Sequence, residues 1–423
     1  MFDRLRFAIF VAVLCLLLVS GGAPAAGKTR LTIGLPGGSA AHDPSILEHF
    51  LELHPDIEVE TIIFPWEEFF TKLTLMLATG TAPDVWYGEA GRAFEWHHAG
   101  FTLDLGPLVE AELDPGDYFL LDAARDPRTG AWTGIPAEFQ VTSLFYNPQH
   151  LAAAGVPFPD ETWDTRTLIE TARKLTRRGG EVTHRWGFNL QPDYITSGWM
   201  LWIKLLGGQV LDSTRSKSRL SHPGTVAALR EMAAMIHEAQ VTPPPEDEAF
   251  APWAAASGFV LGTTSMMFNI YSWNNYLQNN GMDEYDAALV PASGEGKRFT
   301  TAVPNVWAIN AASPADRKAA AWEWIKFQIG EEAQSIRMAG GAGVPVNRGV
   351  ALEFVSLPGP PNSRAVYLDS LAFAGTLEEN PVWERYRRAV EQALAPLWAG
   401  RVSAEEAALR AHHEVDVILR ELS

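Results

Sequence analysis

Residues 31–38, Leu-Thr-Ile-Gly-Leu-Pro-Gly-Gly, decide the fold, because they alternate branched or apolar residues with small ones and end in a turn. This pattern predicts a strand. Asp43 and Pro44 then provide an N-cap and a first helical residue, and apolar residues recur at helical spacing over 46–51. Residues 57–63, Ile-Glu-Val-Glu-Thr-Ile-Ile, alternate again and predict a second strand.

A second helix and a third strand complete this pattern. Apolar residues recur from Phe69 to Leu77, and Gly80 closes the helix. Residues 84–87, Asp-Val-Trp-Tyr, predict a short strand. Strands that alternate with helices predict an α/β fold, in which a mainly parallel sheet is flanked by helices.

The strand ends predict where a ligand would bind. In such sheets ligands lie at the carboxyl ends of the strands. We therefore expect segments 37–39, 66–67 and 87–92 to surround one crevice. The candidate ligand-binding residues in these segments are Gly38, Ser39, Trp66, Glu67, Tyr87, Glu89 and Arg92.

The rest of the chain repeats this style. Residues 163–175, 381–397 and 404–419 have helical patterns, and 261–268 is apolar and strand-like. Ser313 and Pro314 are predicted to cap a helix with Ala320, Trp324 and Phe327 on one face. The length of 423 residues, with 47% hydrophobic and 20% charged residues, suits a globular protein of two or three domains.

The N-terminus has the layout of a secretory signal peptide. Two arginines precede an apolar run over 7–19, and small residues follow over 23–26. The run is shorter than the ~20 residues that span a bilayer. We expect residues 1–26 to be removed near Ala25 or Ala26 and the mature protein to be periplasmic. Cys15, the only cysteine, is followed by leucines and does not fit a lipobox, so no lipid anchor is predicted.

Charge and motifs exclude several classes of function. The net charge of -18 disfavours nucleic acid and anionic membranes as partners. Adjacent pairs such as His97-His98 point to different sides of a helix and make poor metal sites. The chain has no Walker A, HExxH or GxSxG string. We therefore predict no cofactor, no metal site and no catalytic residue.

Several strings occur in an order typical of one family. They are Pro-Trp-Glu-Glu-Phe-Phe-Thr-Lys-Leu at 65–73, Ala-Thr-Gly-Thr-Ala-Pro-Asp-Val at 78–85, Trp-Thr-Gly-Ile-Pro at 132–136, Leu-Phe-Tyr-Asn at 144–147, residues 154–163, and Pro-Asn-Val-Trp-Ala-Ile at 304–309. Over nearly the whole mature chain, this order resembles the extracellular solute-binding proteins of ABC importers, family 1, in the maltose-binding-like cluster.

The resemblance implies a periplasmic-binding-protein fold of two α/β lobes that close on a ligand. It places three crossings between lobes near Pro136, near Trp307 and near Val344. The expected lobes are 27–136 with 308–344, and 137–307 with 345–423. The implied protein is a monomer without enzymatic activity. It delivers a mono- or oligosaccharide to ABC permease subunits in the inner membrane.

Sugar chemistry and the resemblance together select further site residues. Aromatic rings stack on pyranose faces, and polar side chains bind the hydroxyls. The resemblance implies a polar contact after the first crossing and an aromatic contact at Trp273, which should project from a strand end. The full set of added candidates is Glu138, Gln140, Asp193, Trp199, Tyr271, Trp273, Asn305 and Trp307. Glu138 could instead be a plain surface residue, Arg92 a surface ion pair, and Trp324 belongs to a core.

Other functions stay open at this point. Glycerol-3-phosphate would need several convergent Arg or Lys residues, of which the candidate loops offer little beyond Arg92. A polyamine would need acids with aromatic rings, which the loops partly offer. A secreted glycosidase or lyase would need two carboxylates flanking one bond, for which Glu138 and Glu89 are conceivable.

Overall fold

A computed structural model describes residues 27–37, 43–180, 182–251, 254–341 and 343–422. The predictions for the signal peptide, Gly38 and Ser39 lie outside the described residues, as does the one for the side chain of Glu67. The described helices include none that is long and apolar enough to cross a membrane.

The strands and helices alternate early in the chain, as predicted. The strands are β1 (Thr29–Gly37), β2 (Ile57–Pro65), β3 (Val85–Glu89), β4 (Ile135–Tyr146), β5 (Arg177–Gly179), β6 (Val182–Arg185), β7 (Met266–Ile270), β8 (Asp286–Ala288), β9 (Thr300–Ile309), β10 (Val344–Pro345) and β11 (Ala374–Gly375).

The helices surround these strands. They are α1 (Pro44–Leu53), α2 (Trp66–Thr79), α3 (Ala90–His98), α4 (Gly106–Glu112), α5 (Pro148–Ala153), α6 (Thr165–Leu175), α7 (Trp199–Leu205), α8 (Pro223–His237), α9 (Ala254–Val260), α10 (Trp273–Asn279), α11 (Ala315–Ile329), α12 (Glu331–Ala339), α13 (Arg348–Phe354), α14 (Ala365–Asp369), α15 (Trp383–Trp398) and α16 (Ala404–Leu419).

The predicted helix ends are largely confirmed by local hydrogen bonds. The Ser45 backbone N–H donates to Asp43 Oδ1 at 2.9 Å at the start of α1, and Gly80 ends α2 in the left-handed conformation with φ 71°. Ser313 differs from the prediction, because it does not cap α11. Its hydroxyl donates instead to Asp84 Oδ1 at 2.6 Å, where that carboxylate is buried.

The main sheet is mixed rather than mainly parallel. β1 pairs in parallel with β2 and β3, as predicted. β9 runs antiparallel to both β3 and β4, and β4 runs antiparallel to β7, β8 and β10. The difference arises because two long strands, β4 and β9, pair with each other along their length in opposite directions.

Two large hydrophobic cores give the protein two α/β lobes. The first core packs β1, β3 and α11, and it includes Trp324. The second packs α6, α7, α8, α15 and α16. β4 connects them, because Val141 belongs to the first core and Leu144 to the second. The cleft described below lies where these two cores meet.

The lobe boundaries stay a prediction, but the packing bears on one of them. The second segment of the expected second lobe begins at residue 345. Val350, Phe354 and Tyr367 nevertheless belong to the first core, where Phe354 and Tyr367 make edge contacts with Tyr271. The helices α15 and α16 pack into the second core. The packing therefore assigns the segment 346–367 to the first core, although the predicted boundary separates it from that core.

Candidate ligand-binding cleft

A cleft of about 660 Å³ lies between the two cores. Strand ends and helix starts supply its lining, as expected for an α/β sheet. Seven of the predicted site residues line it: Trp66, Tyr87, Glu89, Glu138, Gln140, Trp273 and Asn305. They come from segments more than 200 residues apart in the chain, so tertiary folding brings them together.

The register of three strands builds the floor of the cleft. Asn305 on β9 pairs with Glu89 on β3 and with Glu138 on β4. Directly opposed residues of neighbouring strands share one face of a sheet. Asn305 Nδ2 donates to Glu138 Oε1 at 2.8 Å, and the Tyr87 hydroxyl donates to the same carboxylate oxygen. These polar groups therefore hold one another at the floor.

Glu138 is a paired, buried carboxylate. It is 1% exposed, and Arg337 Nη1 lies 3.3 Å from its Oε2. Burial raises the pKa of Glu138, and the Arg337 guanidinium opposes that rise. Arg337 also donates to the Ala137 carbonyl at 2.9 Å and to Gln328. The alternative that Glu138 is a plain surface residue is therefore wrong, and its main contacts are within the protein.

Aromatic side chains form the walls. Trp273 Nε1 donates to the Tyr194 hydroxyl at 2.6 Å, and their ring centroids are 6.4 Å apart in an edge contact. Trp66 and Trp383 also line the cleft. Gly91 makes room for Trp383, because a Cβ at Gly91 would lie 2.7 Å from the indole Nε1. Such walls suit a ligand with flat apolar faces.

Trp273 occupies a position somewhat different from the predicted one. It was expected to project from a strand end. It is the first residue of α10, three residues after β7 ends. It still lines the cleft, because a helix that starts at a strand end presents its first residue there.

The loop that carries Tyr194 is anchored to both long strands. The Thr142 and Thr301 hydroxyls donate to the Thr196 carbonyl oxygen at 3.1 and 2.6 Å. Thr196 lines the cleft and is 5% exposed. Its own hydroxyl has no hydrogen-bond partner among the described residues. A buried hydroxyl without a partner is a candidate contact for a ligand.

Glu89 and Glu379 form an acidic side of the cleft. Burial raises the pKa of Glu89 to about 6; Arg92 opposes this rise, and Glu379 adds to it. Glu379 is 2% exposed, and burial raises its pKa as well. Its Oε2 has no hydrogen-bond partner among the described residues. Arg215 fixes this segment by donating to the Glu379 carbonyl at 2.8 Å.

Arg92 and Asp193 lie outside the main cleft, in an adjoining cavity of about 330 Å³. Arg92 Nη2 lies 3.3 Å from Glu384 Oε2, which joins α3 to α15. Trp398 Nε1 donates to Asp193 Oδ1 at 3.2 Å. Arg92 therefore forms an ion pair, as the alternative interpretation states. The pair is not at the surface, however, because the Arg92 side chain is 23% exposed and the Glu384 side chain 11%.

Three predicted aromatic contacts are wrong in placement, because they lie in hydrophobic cores. Trp307 is fully buried and makes an edge contact with Trp324 at 5.7 Å between centroids. It lies two residues beyond Asn305 on the same face of β9 and contacts Tyr87, at 5.5 Å between ring centroids, but it does not line the cleft. Tyr271 packs edge-on against Phe354, at 4.8 Å. Trp199 belongs to the second core.

Several lining residues were missed by the site prediction. Tyr194, Thr196 and Glu379 line the cleft without having been predicted, and Trp383, interpreted mainly as a core residue that could reach the cleft, lines it as well. The only sequence signal for the last two is a polar run before Pro381, which precedes a helix as the other lining segments do.

Within the described lining of the main cleft there is no Lys, Arg or His. The cleft can thus accept hydrogen bonds and positive charge while it stacks rings.

Two cores with a polar, aromatic-walled cleft between them define the class of two-lobed ligand-binding proteins. The sequence matches the family model described as bacterial extracellular solute-binding protein over residues 38–335. This match spans more than half of the chain. The chain therefore belongs to the bacterial extracellular solute-binding protein family, which confirms the predicted family.

Similar proteins agree with this assignment. A Brucella abortus (strain 2308) protein described as a binding protein is 22% identical over 404 residues, which cover 93% of this chain and 94% of that relative. An ABC substrate-binding protein from Listeria monocytogenes, solved in complex with cycloalternan, has a similar structure with a TM-score of 0.81 and 20% identity over 93% of this chain and 99% of that one.

A second similar structure is the sugar-binding protein MalE of Xanthomonas citri. Its TM-score is 0.79 and its identity 19%, over 93% of this chain and 98% of that one. At these identities the likeness establishes the fold. It confirms the predicted two-lobed α/β architecture.

Proposed function

We propose that this protein is the periplasmic solute-binding component of an ABC importer, which captures a carbohydrate between its lobes and delivers it to a membrane permease. The observation that carries this proposal is the cleft itself. Trp66, Trp273 and Trp383 line it beside a polar floor of Glu138 and Asn305. Indole faces suit the apolar face of a pyranose ring, and amide and carboxylate groups suit its hydroxyls.

The similar structures support a carbohydrate in particular. The Listeria monocytogenes protein was solved with cycloalternan, and the Xanthomonas citri protein is named as sugar-binding. Glycerol-3-phosphate fits less well, because the described lining has no Lys or Arg to hold a phosphate. Arg92 and Arg387, which line the adjoining cavity, are already paired with Glu384.

The proposal includes a binding role without catalysis. A glycosidase needs two available carboxylates that flank one bond. Glu138 is bound by Arg337, Tyr87 and Asn305, which argues against its use as an acid or base. Incubation with oligosaccharides, followed by analysis of the products, tests this part. Release of shorter sugars would contradict it.

The proposed lobes are the two predicted ones, with segment 346–367 following the first core. The extended strands β4 and β9, and the pairing of β10 with β4, support three connections between lobes. We further propose that the protein is a monomer, and that residues 1–26 are cleaved so that it reaches the periplasm without a lipid. Mass spectrometry of the mature N-terminus tests the cleavage, and a lipid on Cys15 would overturn it.

A thermal-shift screen over a sugar library tests the ligand class. A ligand at 100 times its Kd adds ~2.7 kcal/mol to the free energy of unfolding. At least one mono- or oligosaccharide should raise the melting temperature, whereas glycerol-3-phosphate should not. A protein that no carbohydrate stabilises would contradict the proposed function.

A further inference from the structure

The carboxylates of the cleft differ in the ion pairs and hydrogen bonds that they form. Glu138 is compensated by the guanidinium of Arg337 and by two hydrogen-bond donors. Glu379 is equally buried, at 2% exposed, but its Oε2 has no hydrogen-bond partner among the described residues. Glu89 lines the same cleft. Neither Glu379 nor Glu89 forms an ion pair within 4 Å among the described residues, although Arg215 and Arg92 attract them electrostatically and backbone N–H groups bond to the Glu379 carboxylate.

Leaving Glu379 in this state is energetically costly. A buried carboxylate oxygen without a partner loses its hydration and gains little in return. Backbone N–H groups of Leu377 and Glu379 bond to the carboxylate, and Arg215 attracts it electrostatically. The Arg215 guanidinium nevertheless donates its hydrogen bonds to the backbone carbonyl of Glu379 and to Thr376 Oγ1, rather than to the carboxylate. The Oε2 atom of Glu379 is therefore left for another donor.

The two carboxylates also act on each other. Glu379 contributes to the raised pKa of Glu89, so their charges lie within electrostatic range. They come from different parts of the protein: Glu89 ends β3, beside the first core, and Glu379 follows Leu377 of the second core. A group bound between them would contact both sides of the cleft at once.

We propose that the ligand is an amino sugar, whose protonated amine binds between Glu89 and Glu379. This inference rests on the proposed carbohydrate-binding function and narrows its ligand class. An ammonium group has three donors and a positive charge that attracts both carboxylates, whereas a neutral hydroxyl provides one donor and no charge. The described lining has no Lys, Arg or His that would repel the amine.

The walls favour a ring over an extended polyamine chain. Trp66, Trp273 and Trp383 offer flat surfaces that match the apolar face of a pyranose. A linear polyamine would use the carboxylates but would leave much of this aromatic surface without a matching partner. Spermidine therefore serves as a comparison ligand, since it carries the same ammonium chemistry without a sugar ring.

Matched sugars that differ in one substituent test the proposal. The mature protein is titrated calorimetrically with β-1,4-linked disaccharides of glucosamine, N-acetylglucosamine and glucose, and with glucosamine, galactosamine and mannosamine beside their neutral parents. Spermidine is titrated in parallel. We expect at least one amino sugar to bind about tenfold tighter than its neutral and acetylated counterparts at low salt. The preference should shrink as salt rises.

Variants connect the preference to the two carboxylates. Glu379→Gln and Glu89→Gln should each lower the ratio of amino-sugar affinity to neutral-sugar affinity, whereas the parent's ratio should be kept by a control variant outside the cleft. Glu295→Gln is the matched control, because its side chain is 78% exposed in a loop remote from the lining. Without ligand, Glu379→Gln should melt no lower than the parent, because it removes a buried charge that has no ion-pair partner. A lower melting temperature would overturn the inference.

The outcomes separate this inference from the proposed function. If neutral sugars bind as tightly as the amino sugars, or Glu379→Gln keeps the full preference, then the amine site is wrong and the carbohydrate function stands. If spermidine binds and no sugar does, then the carbohydrate function fails too. A protein that binds no member of the panel or of the wider library contradicts both.

Discussion

Gly91 at the start of α3 lies directly against the indole of Trp383, the first residue of α15. A Cβ on Gly91 would lie 2.7 Å from the indole Nε1, closer than real Cβ atoms come to other atoms. The contact joins a helix beside the first core to a helix of the second core. The absence of a side chain at residue 91 therefore sets the position of one cleft wall.

Gly91→Ala should displace Trp383 and weaken ligand binding. Overpacking of this kind costs about 1–3 kcal/mol of stability, more than the ~1 kcal/mol of helix propensity that alanine gains over glycine. We expect a lower melting temperature and a higher Kd. Gly294→Ala is the control, because a Cβ there would meet nothing within 4 Å. Equal melting temperatures and affinities for the two variants would contradict the packing.

The buried ion pair of Arg337 and Glu138 should be strongly coupled. Arg337→Met leaves a buried carboxylate unpaired and should cost about 3–5 kcal/mol of unfolding free energy. The double variant Glu138→Gln with Arg337→Met should cost less than Arg337→Met alone. Arg410→Met is the control, because its pair with Glu414 is 57% and 37% exposed and should contribute less than about 1 kcal/mol. Urea denaturation measures all four proteins.

The two tryptophans Trp273 and Trp324 should separate binding from stability. Trp273→Ala should weaken sugar binding by ~1–3 kcal/mol, by analogy with stacking on flat rings, and leave the fold intact. Trp324 is 2% exposed and packs against Phe50 and Trp307. Trp324→Ala should therefore cost ~3–5 kcal/mol of stability and leave intrinsic affinity nearly unchanged. Titration calorimetry and thermal melts test the pair, and the reverse pattern would mean that the cleft is misplaced on this side.

Without ligand, the free energy of unfolding should depend on the titration of Glu89 between pH 4.5 and about 6. Burial raises the pKa of this carboxyl from 4.5 to about 6. The folded protein thus binds more protons than the unfolded chain in this window, so the contribution of Glu89 to stability falls as pH rises through it. The charged groups that face it are Arg92, Glu379, Glu384 and Arg387, with Tyr194 beside them.

Glu89→Gln should remove this part of the pH dependence. We expect the melting temperature of the variant, relative to the parent, to rise from pH 4.5 to pH 7. Glu295→Gln, in an exposed loop, should show no such difference. Parallel curves for Glu89→Gln and the parent would show that Glu89 does not titrate in this window.

Glu384 joins α3 to α15 in the cavity beside the cleft. We expect this link to favour the conformation in which the two lobes have closed on the ligand. Glu384 Oε2 lies 3.3 Å from Arg92 of α3 and 3.1 Å from Arg387 of α15. Its backbone N–H donates to Glu95 Oε1 at 3.0 Å. Although burial opposes it, Arg387 and Arg92 lower the pKa of Glu384.

Glu384→Gln should therefore bind ligand about fivefold more weakly, on the basis of ~1 kcal/mol for a partly buried pair. Small-angle scattering should show a smaller radius of gyration with ligand for the parent, and a smaller decrease for the variant at the same ligand concentration. Glu414→Gln removes a comparable pair with Arg410 on α16 and should behave as the parent does. An unchanged radius in the parent under saturating ligand would contradict closure.

Much of the fold could be predicted from local sequence. The alternation over 57–63 predicted β2, and the apolar spacing up to Leu77 with Gly80 predicted α2 and its end. These features depend on residues within a few positions of one another, whose periodicity follows from helix and strand geometry. Ser313 was an exception, because a buried carboxylate 229 residues away binds its hydroxyl.

The site was predicted only in part. The strand-end rule located Trp66, Tyr87 and Glu89 in the cleft. The same rule could not tell that Trp307 would be covered by Trp324, since a residue at a strand end and one two positions away look alike in sequence. Tyr194 was missed because its loop shows no pattern of its own, and Glu379 was missed because its only signal is a short polar run before Pro381.

The sequence by itself determined the early alternation of strands and helices, the ends of α1 and α2 and the family, because these follow from side-chain periodicity and short strings of residues. Only the tertiary structure decided which carboxylates are compensated. Glu138 meets Arg337 across 199 positions of the chain, while Glu379 meets no such partner among the described residues. Desolvation and pairing depend on distances in space between segments far apart in sequence, and local patterns do not encode those distances.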